Sequence, residues 1–378
     1  MRLTDEQILL RDTAHDVARN LLAPHAAEWD RESRFPKEAL AELGKLGFMG
    51  ALVPPEYGGT GADHVGYALA LEEIAAGDGS VSTILAVHNS VGCAPVLNFG
   101  SEEQKRRFLR PMAAGEMLAC FCLTEPGAGS DAAAIKTSAK RRGNRWVLNG
   151  AKQFVTSGRN ARVAIVFAVT DPAAGRRGIS AFIVPTDTAG YRVARLEHKL
   201  GQRASDTAQL VFEDMELTPD LMLGAEGEGY RIALSNLEGG RIGIAAQALG
   251  MARAAYEAAL AYAQQREAFG QKIIAHQAVA FRLADMATQL AAARGLVLDA
   301  AQRRDDGVPC LQQAAMAKLF ASEMAERVCS DAIQIHGGYG YLADFPVECI
   351  YRDVRVCQIY EGTSDIQRLV IARELQKS

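Results

Sequence analysis

Glu361 stands in the string Ile359-Tyr360-Glu361-Gly362-Thr363-Ser364-Asp365-Ile366-Gln367-Arg368, near the end of a chain of 378 residues. The carboxylate precedes a glycine and two hydroxyl residues. Thr363 or Ser364 can cap a helix that starts just beyond, turning its free N–H groups toward the loop. A carboxylate beside such an anion-attracting helix start is suited to taking a proton next to a negatively charged cofactor. A Glu met alone is more often a solvated surface residue. The reading therefore rests on what accompanies it.

A second string is Phe121-Cys122-Leu123-Thr124-Glu125-Pro126-Gly127-Ala128-Gly129-Ser130-Asp131-Ala132. Gly127, Gly129 and Ala132 fit G-x-G-x-x-A, but no Asp or Glu follows between Asp131 and Asp171, so no residue is placed to hold a ribose hydroxyl. The next segment reads as a hairpin, which argues against a nicotinamide site of the Rossmann type. The glycines still let backbone press against a flat ligand, and Thr124 and Ser130 offer hydroxyls. Lys152-Gln153-Phe154-Val155-Thr156-Ser157 joins an aromatic to two hydroxyls. Arg266-Glu267-Ala268-Phe269-Gly270-Gln271 ends a helical pattern with a cation, and Gln277 follows. Gln334-Ile335-His336-Gly337-Gly338-Tyr339-Gly340 is a glycine-rich helix exit. Read singly, Phe154 and His336 are ordinary core residues and Arg266 is a favourable charge at a helix end.

Three zones must position these strings. Residues 1–120 read as a helical domain. Thr4-Asp5-Glu6-Gln7 and Ser101-Glu102-Glu103-Gln104 are capping boxes, and Pro24 and Pro36 suit first helical turns. Val53-Pro54-Pro55-Glu56-Tyr57-Gly58-Gly59 is a loop. Residues 121–228 change to short apolar runs. Trp146-Val147-Leu148, bracketed by the turn signals Gly143-Asn144 and Asn149-Gly150, reads as a short strand. Further strands fall at 163–169, 179–184 and 210–212, and close spacing without helices predicts an antiparallel barrel or sandwich. Residues 229–378 return to helical spacing with dense alanine. Helices near 242–263, 281–296 and 311–335, and a last one after Glu361, imply a four-helix bundle. The fold class is α+β, mostly α.

Composition is that of an ordinary soluble chain, with 49% hydrophobic and 23% charged residues, a net charge of -4 and a pI near 6.0. That balance argues against a general nucleic-acid binder. Seven cysteines without C-x-x-C, and seven histidines without H-E-x-x-H, favour reduced buried thiols over a metal site. Cys120 and Cys122 would share one face of a strand. With no signal segment after Met1 and no long run of apolar residues, a cytoplasmic protein is expected.

Taken in order along the whole chain, these strings resemble the acyl-CoA dehydrogenase family. The segments 123–131 and 334–340, followed by Tyr360-Glu361-Gly362-Thr363-Ser364, carry most of the likeness. Val53-Pro54-Pro55-Glu56-Tyr57-Gly58-Gly59 and Lys199-Leu200-Gly201-Gln202-Arg203 add to it. The resemblance implies non-covalent FAD and a homotetramer built as a dimer of dimers. It implies that Phe121, Leu123, Thr124, Gly129 and Ser130 meet the flavin, with Phe154, Val155 and Thr156 on its other edge. Arg266, Phe269, Gln277, Gln334, Ile335, Gly337 and Gly338 would reach the diphosphate and adenosine of FAD in a neighbouring subunit, where an Arg fork suits phosphate. Thr363 and Asp365 would meet FAD from the Glu361 loop. Ser130, Glu238, Arg241 and Gly362 would meet the acyl-CoA substrate.

In that reading Glu361 removes the α-proton of the thioester while the β-hydrogen leaves as hydride, and electrons pass to an electron-transferring flavoprotein. Some family members carry the base on the first bundle helix instead. Here the matching position in Asn236-Leu237-Glu238-Gly239-Gly240-Arg241 is Gly240, which has no side chain to serve. The same segment resembles short-chain and short branched-chain members. Ser82 stands where glutaryl-CoA members place an Arg, so that substrate is disfavoured. Butyryl, isobutyryl and 2-methylbutyryl groups stay open. The competing functions are an acyl-CoA oxidase using oxygen and a non-catalytic CoA-binding or scaffold protein.

Overall fold

The computed structural model describes residues 2–377. Helix Asp5–Val17 starts at the first capping box: Thr4 Oγ1 accepts from Gln7 N at 3.2 Å, and Gln7 Oε1 accepts from Thr4 N at 3.0 Å. The second box, at Ser101, closes in the same way. Pro36 directly precedes helix Lys37–Lys45. Pro24 falls in the first turn of helix Ala23–Glu32, as read, although that helix continues from Asp5–Val17 through a π turn at Ala18–Leu22. The wide turn absorbs the proline's missing donor.

Helix His64–Gly77 is buried along nearly its whole length between Asp5–Val17 and the long helix Gly229–Gln265. The helical run Gly79–Phe99 is apolar and long enough to cross a membrane, but most of it is enclosed by the rest of the protein as a core helix.

The middle of the chain forms an eight-stranded sheet in the order β6-β7-β3-β2-β4-β5-β8, with β1 paired to β4. The strands are β1 Ala119–Cys122, β2 Ser138–Arg142, β3 Arg145–Thr156, β4 Val163–Val169, β5 Ile179–Pro185, β6 Tyr191–Leu196, β7 Thr207–Leu217 and β8 Met222–Leu223. β4 and β5 are buried on both faces, which is why their sequences are unbroken apolar runs. Most pairings are antiparallel, as expected, but β1 and β2 both meet β4 in parallel. Asn149-Gly150 is no turn. It lies within the twelve-residue β3, at a register shift against β7. The Asn149 amide exchanges hydrogen bonds with Asp214 across the shift, at 3.1 and 2.9 Å. Gly150 has φ 153°, and a Cβ there would lie 2.5 Å from Thr137 Oγ1. Polar and small residues therefore signal a bulge at this point.

The C-terminal zone holds Gly229–Gln265, Gln277–Asp305, Leu311–His336 and Ser364–Leu375, with a short helix Pro346–Val354 that the sequence reading left out. The first and third pack along their lengths through buried alanines, Ala248, Ala252 and Ala255 on one and Ala317, Ala321 and Ala325 on the other. Small side chains let the backbones approach closely. The N-terminal helices and the bundle share a single apolar core, while the sheet makes a second. The seam between them is tied by Gln202, whose side chain accepts from Thr83 Oγ1 at 2.6 Å and donates to Asp353 O at 3.1 Å.

Candidate active site

Glu361 sits in the turn just before helix Ser364–Leu375. Thr363 caps that helix, its hydroxyl accepting from Ile366 N at 3.3 Å. Glu361 has φ 51° and Gly362 φ 91°, so two successive residues adopt the left-handed region. A glutamate adopts that conformation at a cost, and it is held there by its surroundings. Both Glu361 carboxylate oxygens are buried and accept no hydrogen bond from the protein. Burial raises this carboxyl from 4.5 to about 7, with Lys318 and Arg241 pulling the other way.

Four buried groups surround that carboxylate. Gly240 faces it so closely that a Cβ there would lie 1.8 Å from Glu361 Oε2. Arg241 is buried, and its Nε has no partner. Desolvation pushes the guanidinium below its ordinary range, opposed by Glu361 and then Glu238. Tyr67 is buried on helix His64–Gly77 with an unpartnered hydroxyl, and burial and then Glu361 raise it. Lys318, fully enclosed on helix Leu311–His336, donates from Nζ to Gly362 O at 2.6 Å. Next to the turn, the Tyr360 hydroxyl donates to Gln247 Oε1 at 2.5 Å, and Gln247 donates to Ser82 Oγ at 2.9 Å. Ser82 thus presents a buried hydroxyl rather than a cation.

Glu238 is half-buried. It accepts from Cys310 Sγ at 3.0 Å and lies 3.6 Å from Arg304 Nη1. Asp365 is exposed, 3.5 Å from Arg368.

The glycine-rich loop follows β1. Gly129 and Ser130 are exposed, Thr124 is half-buried and Leu123 is buried. A Cβ added at Gly127 or Gly129 would meet nothing within 4 Å, so the loop borders open space. Phe121 packs its ring edge-on against Phe167, with centroids 4.9 Å apart. A register shift in β3 between Lys152 and Val155 gives Phe154 a φ of 57° and turns its side chain outward, 65% exposed, while Val155 is buried and Thr156 half-buried. Gln153 N donates to Thr124 O at 2.8 Å and joins the two segments. An open loop beside an outturned aromatic can take a flat ring system.

Beneath this loop lies an ion pair that the sequence reading did not single out. Lys152 Nζ donates to Glu125 Oε1 at 2.7 Å and to Leu123 O at 3.1 Å, and Glu125 also accepts from Lys136 N and Thr137 N. Desolvation would raise the Glu125 carboxyl, but Lys152 and these donors hold it below its ordinary range.

A second hollow, of about 370 Å³, lies at the far end of the bundle. It brings together Arg266, Ile335, Gly337 and Gly338, with Tyr262 and Tyr339 beside them. Gly337 ends its helix at φ 61°. Gln334 is exposed on the last turn of that helix, and Phe269 and Gln277 lie outside the lining. Phe269 caps a two-residue hairpin and is 97% exposed. An Arg above two bare glycines, next to aromatics, suits a diphosphate with an attached ring.

Three family models match the chain in order: acyl-CoA dehydrogenase N-terminal domain over residues 4–116, middle domain over 120–215 and C-terminal domain over 227–376. The chain is 48% identical to an acyl-CoA dehydrogenase of Bacillus subtilis, over 99% of both sequences. It is 47% identical to the mitochondrial short-chain specific acyl-CoA dehydrogenase of Homo sapiens, over 100% of this chain and 92% of that one. Among solved structures, butyryl-CoA dehydrogenase from Megasphaera elsdenii superposes with a TM-score of 0.98 at 43% identity, over 100% and 99% of the two chains. A chain solved in work on the electron transferring flavoprotein of Acidaminococcus fermentans gives 0.99 at 44%, over all of both chains. A glutaryl-CoA dehydrogenase from Mycobacterium smegmatis in complex with FADH2 gives 0.94 at 33%, over 100% and 96%.

Proposed function

The chain belongs to the acyl-CoA dehydrogenase family and is an oxidoreductase acting on acyl-CoA, and from that premise we propose that it converts a short-chain or short branched-chain acyl-CoA to the 2-enoyl-CoA with FAD. We place it in the cytoplasm, as a homotetramer that passes its electrons to an electron-transferring flavoprotein. The observation that carries the reading is the Glu361 carboxylate, buried without a partner and raised to about 7. A base so held has its lone pairs free, and its proton affinity lies close to working pH.

The donor set fits FAD. Thr124, Gly129, Ser130 and the outturned Phe154 would hold the ring system, while Arg266 with Gly337 and Gly338 would hold a diphosphate. When bound, FAD supplies the acceptor for the β-hydrogen as hydride. Glu361 takes the α-proton. Gly240 leaves the volume that Glu361 occupies, so the base can stand at the reacting carbon. Arg241 and Lys318 favour the ionised form of Glu361 before it acts. An acyl chain bound beside Glu361 would exclude water and strengthen each of these charges.

The test is an anaerobic titration of the purified protein with butyryl-, isobutyryl-, 2-methylbutyryl- and octanoyl-CoA, followed by the visible spectrum. Bleaching by a short thioester supports the reading, and bleaching by none overturns the substrate class. Hydrogen peroxide release with oxygen as sole acceptor would instead point to an oxidase.

A further inference from the structure

Lys318 sits where a lysine is seldom found, in the interior of the bundle at zero exposure, in the helical stretch Ala314-Ala315-Met316-Ala317-Lys318. Burying a cation there carries a large desolvation cost unless it meets a partner. Its partner is no carboxylate in direct contact but a backbone carbonyl, Gly362 O at 2.6 Å, one residue after the base. Gln367, also fully buried, donates from Nε2 to the same oxygen at 2.8 Å and to Glu361 O at 3.3 Å. Two enclosed side chains, from different helices, thus converge on Gly362 O, and Gln367 also reaches Glu361 O, so the carbonyls held are those of the left-handed pair itself.

The geometry points to Lys318 as a positioning residue for the proton transfer: its ammonium, clamped on Gly362 O, holds the Glu361 turn in its left-handed form and sets the charge that the base carries. Ordinary packing would place an apolar residue in this alanine-rich helix. A turn left to itself would relax Glu361 to negative φ and swing the carboxylate away from Gly240. The remaining charged and titratable groups around this point are Arg241 from the first bundle helix, Tyr67 from the N-terminal domain, Cys357 from the 3₁₀ turn before the loop, and Glu361 itself. Burial lowers Lys318 to about 8, with Cys357 and Glu361 opposing and Arg241 assisting. The ammonium is therefore charged at neutral pH and lies next to the one carboxylate that must change protonation state.

The inference rests on Glu361 as the base. Glu361→Gln that kept its turnover would remove that premise, whereas the experiment below removes only the role of Lys318. Lys318→Met in the FAD-loaded enzyme is compared with wild type for flavin content, KM and the pH profile of kcat/KM with butyryl-CoA. We expect native flavin content, KM within about threefold, kcat lower by at least about 10-fold, and the acid limb displaced upward by about one pH unit because the compensating cation is gone. Gln367→Leu removes the second clamp and leaves the charge, so kcat falls with the limb in place. If Lys318→Met does not hold flavin, Lys318→Gln, which keeps a donor and loses the charge, is read for the same limb. A folded, yellow Lys318 variant whose acid limb and kcat match wild type overturns the proposal. So does a loss of activity that appears wholly in KM.

Discussion

Gly240→Ala is a single-methyl test of the site. The added Cβ would fall 1.8 Å from Glu361 Oε2 and 2.8 Å from its Cδ. To restore an ordinary contact of 3.4 Å the oxygen must retreat by about 1.6 Å. The obstacle is the far end of a side chain, so the carboxylate yields and the backbone does not. Stability should not suffer, since alanine gains up to about 1 kcal/mol over glycine inside a helix. Catalysis should. A misplacement of about 1 Å at a reacting group costs on the order of 100-fold, or about 2.7 kcal/mol of barrier. The assay is dye-coupled turnover of butyryl-CoA, with flavin absorbance and a thermal melt on the same samples. The expected result is an equal or higher melting temperature, full flavin and kcat down about 100-fold. A kcat within threefold of wild type would refute the reasoning, because Glu361 would then be working from some other position.

Further outcomes follow from the same charges. Glu361→Gln should keep the yellow flavin and lose dehydrogenation, which the anaerobic titration reads directly. For wild type, kcat/KM should fall as pH drops through about 7, since the free base must be ionised; an acid limb near 4.5 would show that the site is not dry. The same raised value has a stability consequence of fixed sign. The folded state binds this proton more tightly than the unfolded one, so the contribution is present below pH 4.5 and lost as pH rises through about 7. Glu361→Gln should therefore melt higher than wild type at pH 8.5, by up to about 3 kcal/mol, and the gap should close at low pH; a gap that grows on acidification would contradict it. Lys152→Met strands the buried Glu125 and should cost about 3–5 kcal/mol, with flavin lost from the loop above it; unchanged urea unfolding and flavin content would count against that role.

Local signals were legible where a few neighbouring residues decide the geometry. Both capping boxes close as written, the third bundle helix ends at Gly337, and Thr363 caps the helix after Glu361. Asn149-Gly150 misled because the same residue types serve a turn and a bulge, and only the partner strand decides which. The strings named Glu361, Gly240 and Arg241, which the structure brings together, yet the other buried charges around them were not legible. Lys318 looks like any solvent-facing helical lysine, and Glu125 and Lys152 are 27 positions apart. Tyr67 and Gln247 reach the Glu361 turn from separate domains. Each is defined by what encloses it, which is a property of packing and not of spacing.

The opposition of Gly240 and Glu361 also limits how this enzyme could change over generations. From this chain, a glutamate at position 240 alone would force two carboxylates into a volume that holds one. Removing Glu361 first would take away the proposed base. With Glu361 as the proposed base, moving that carboxylate to position 240 by single substitutions thus crosses an impaired intermediate, because the two positions share one volume.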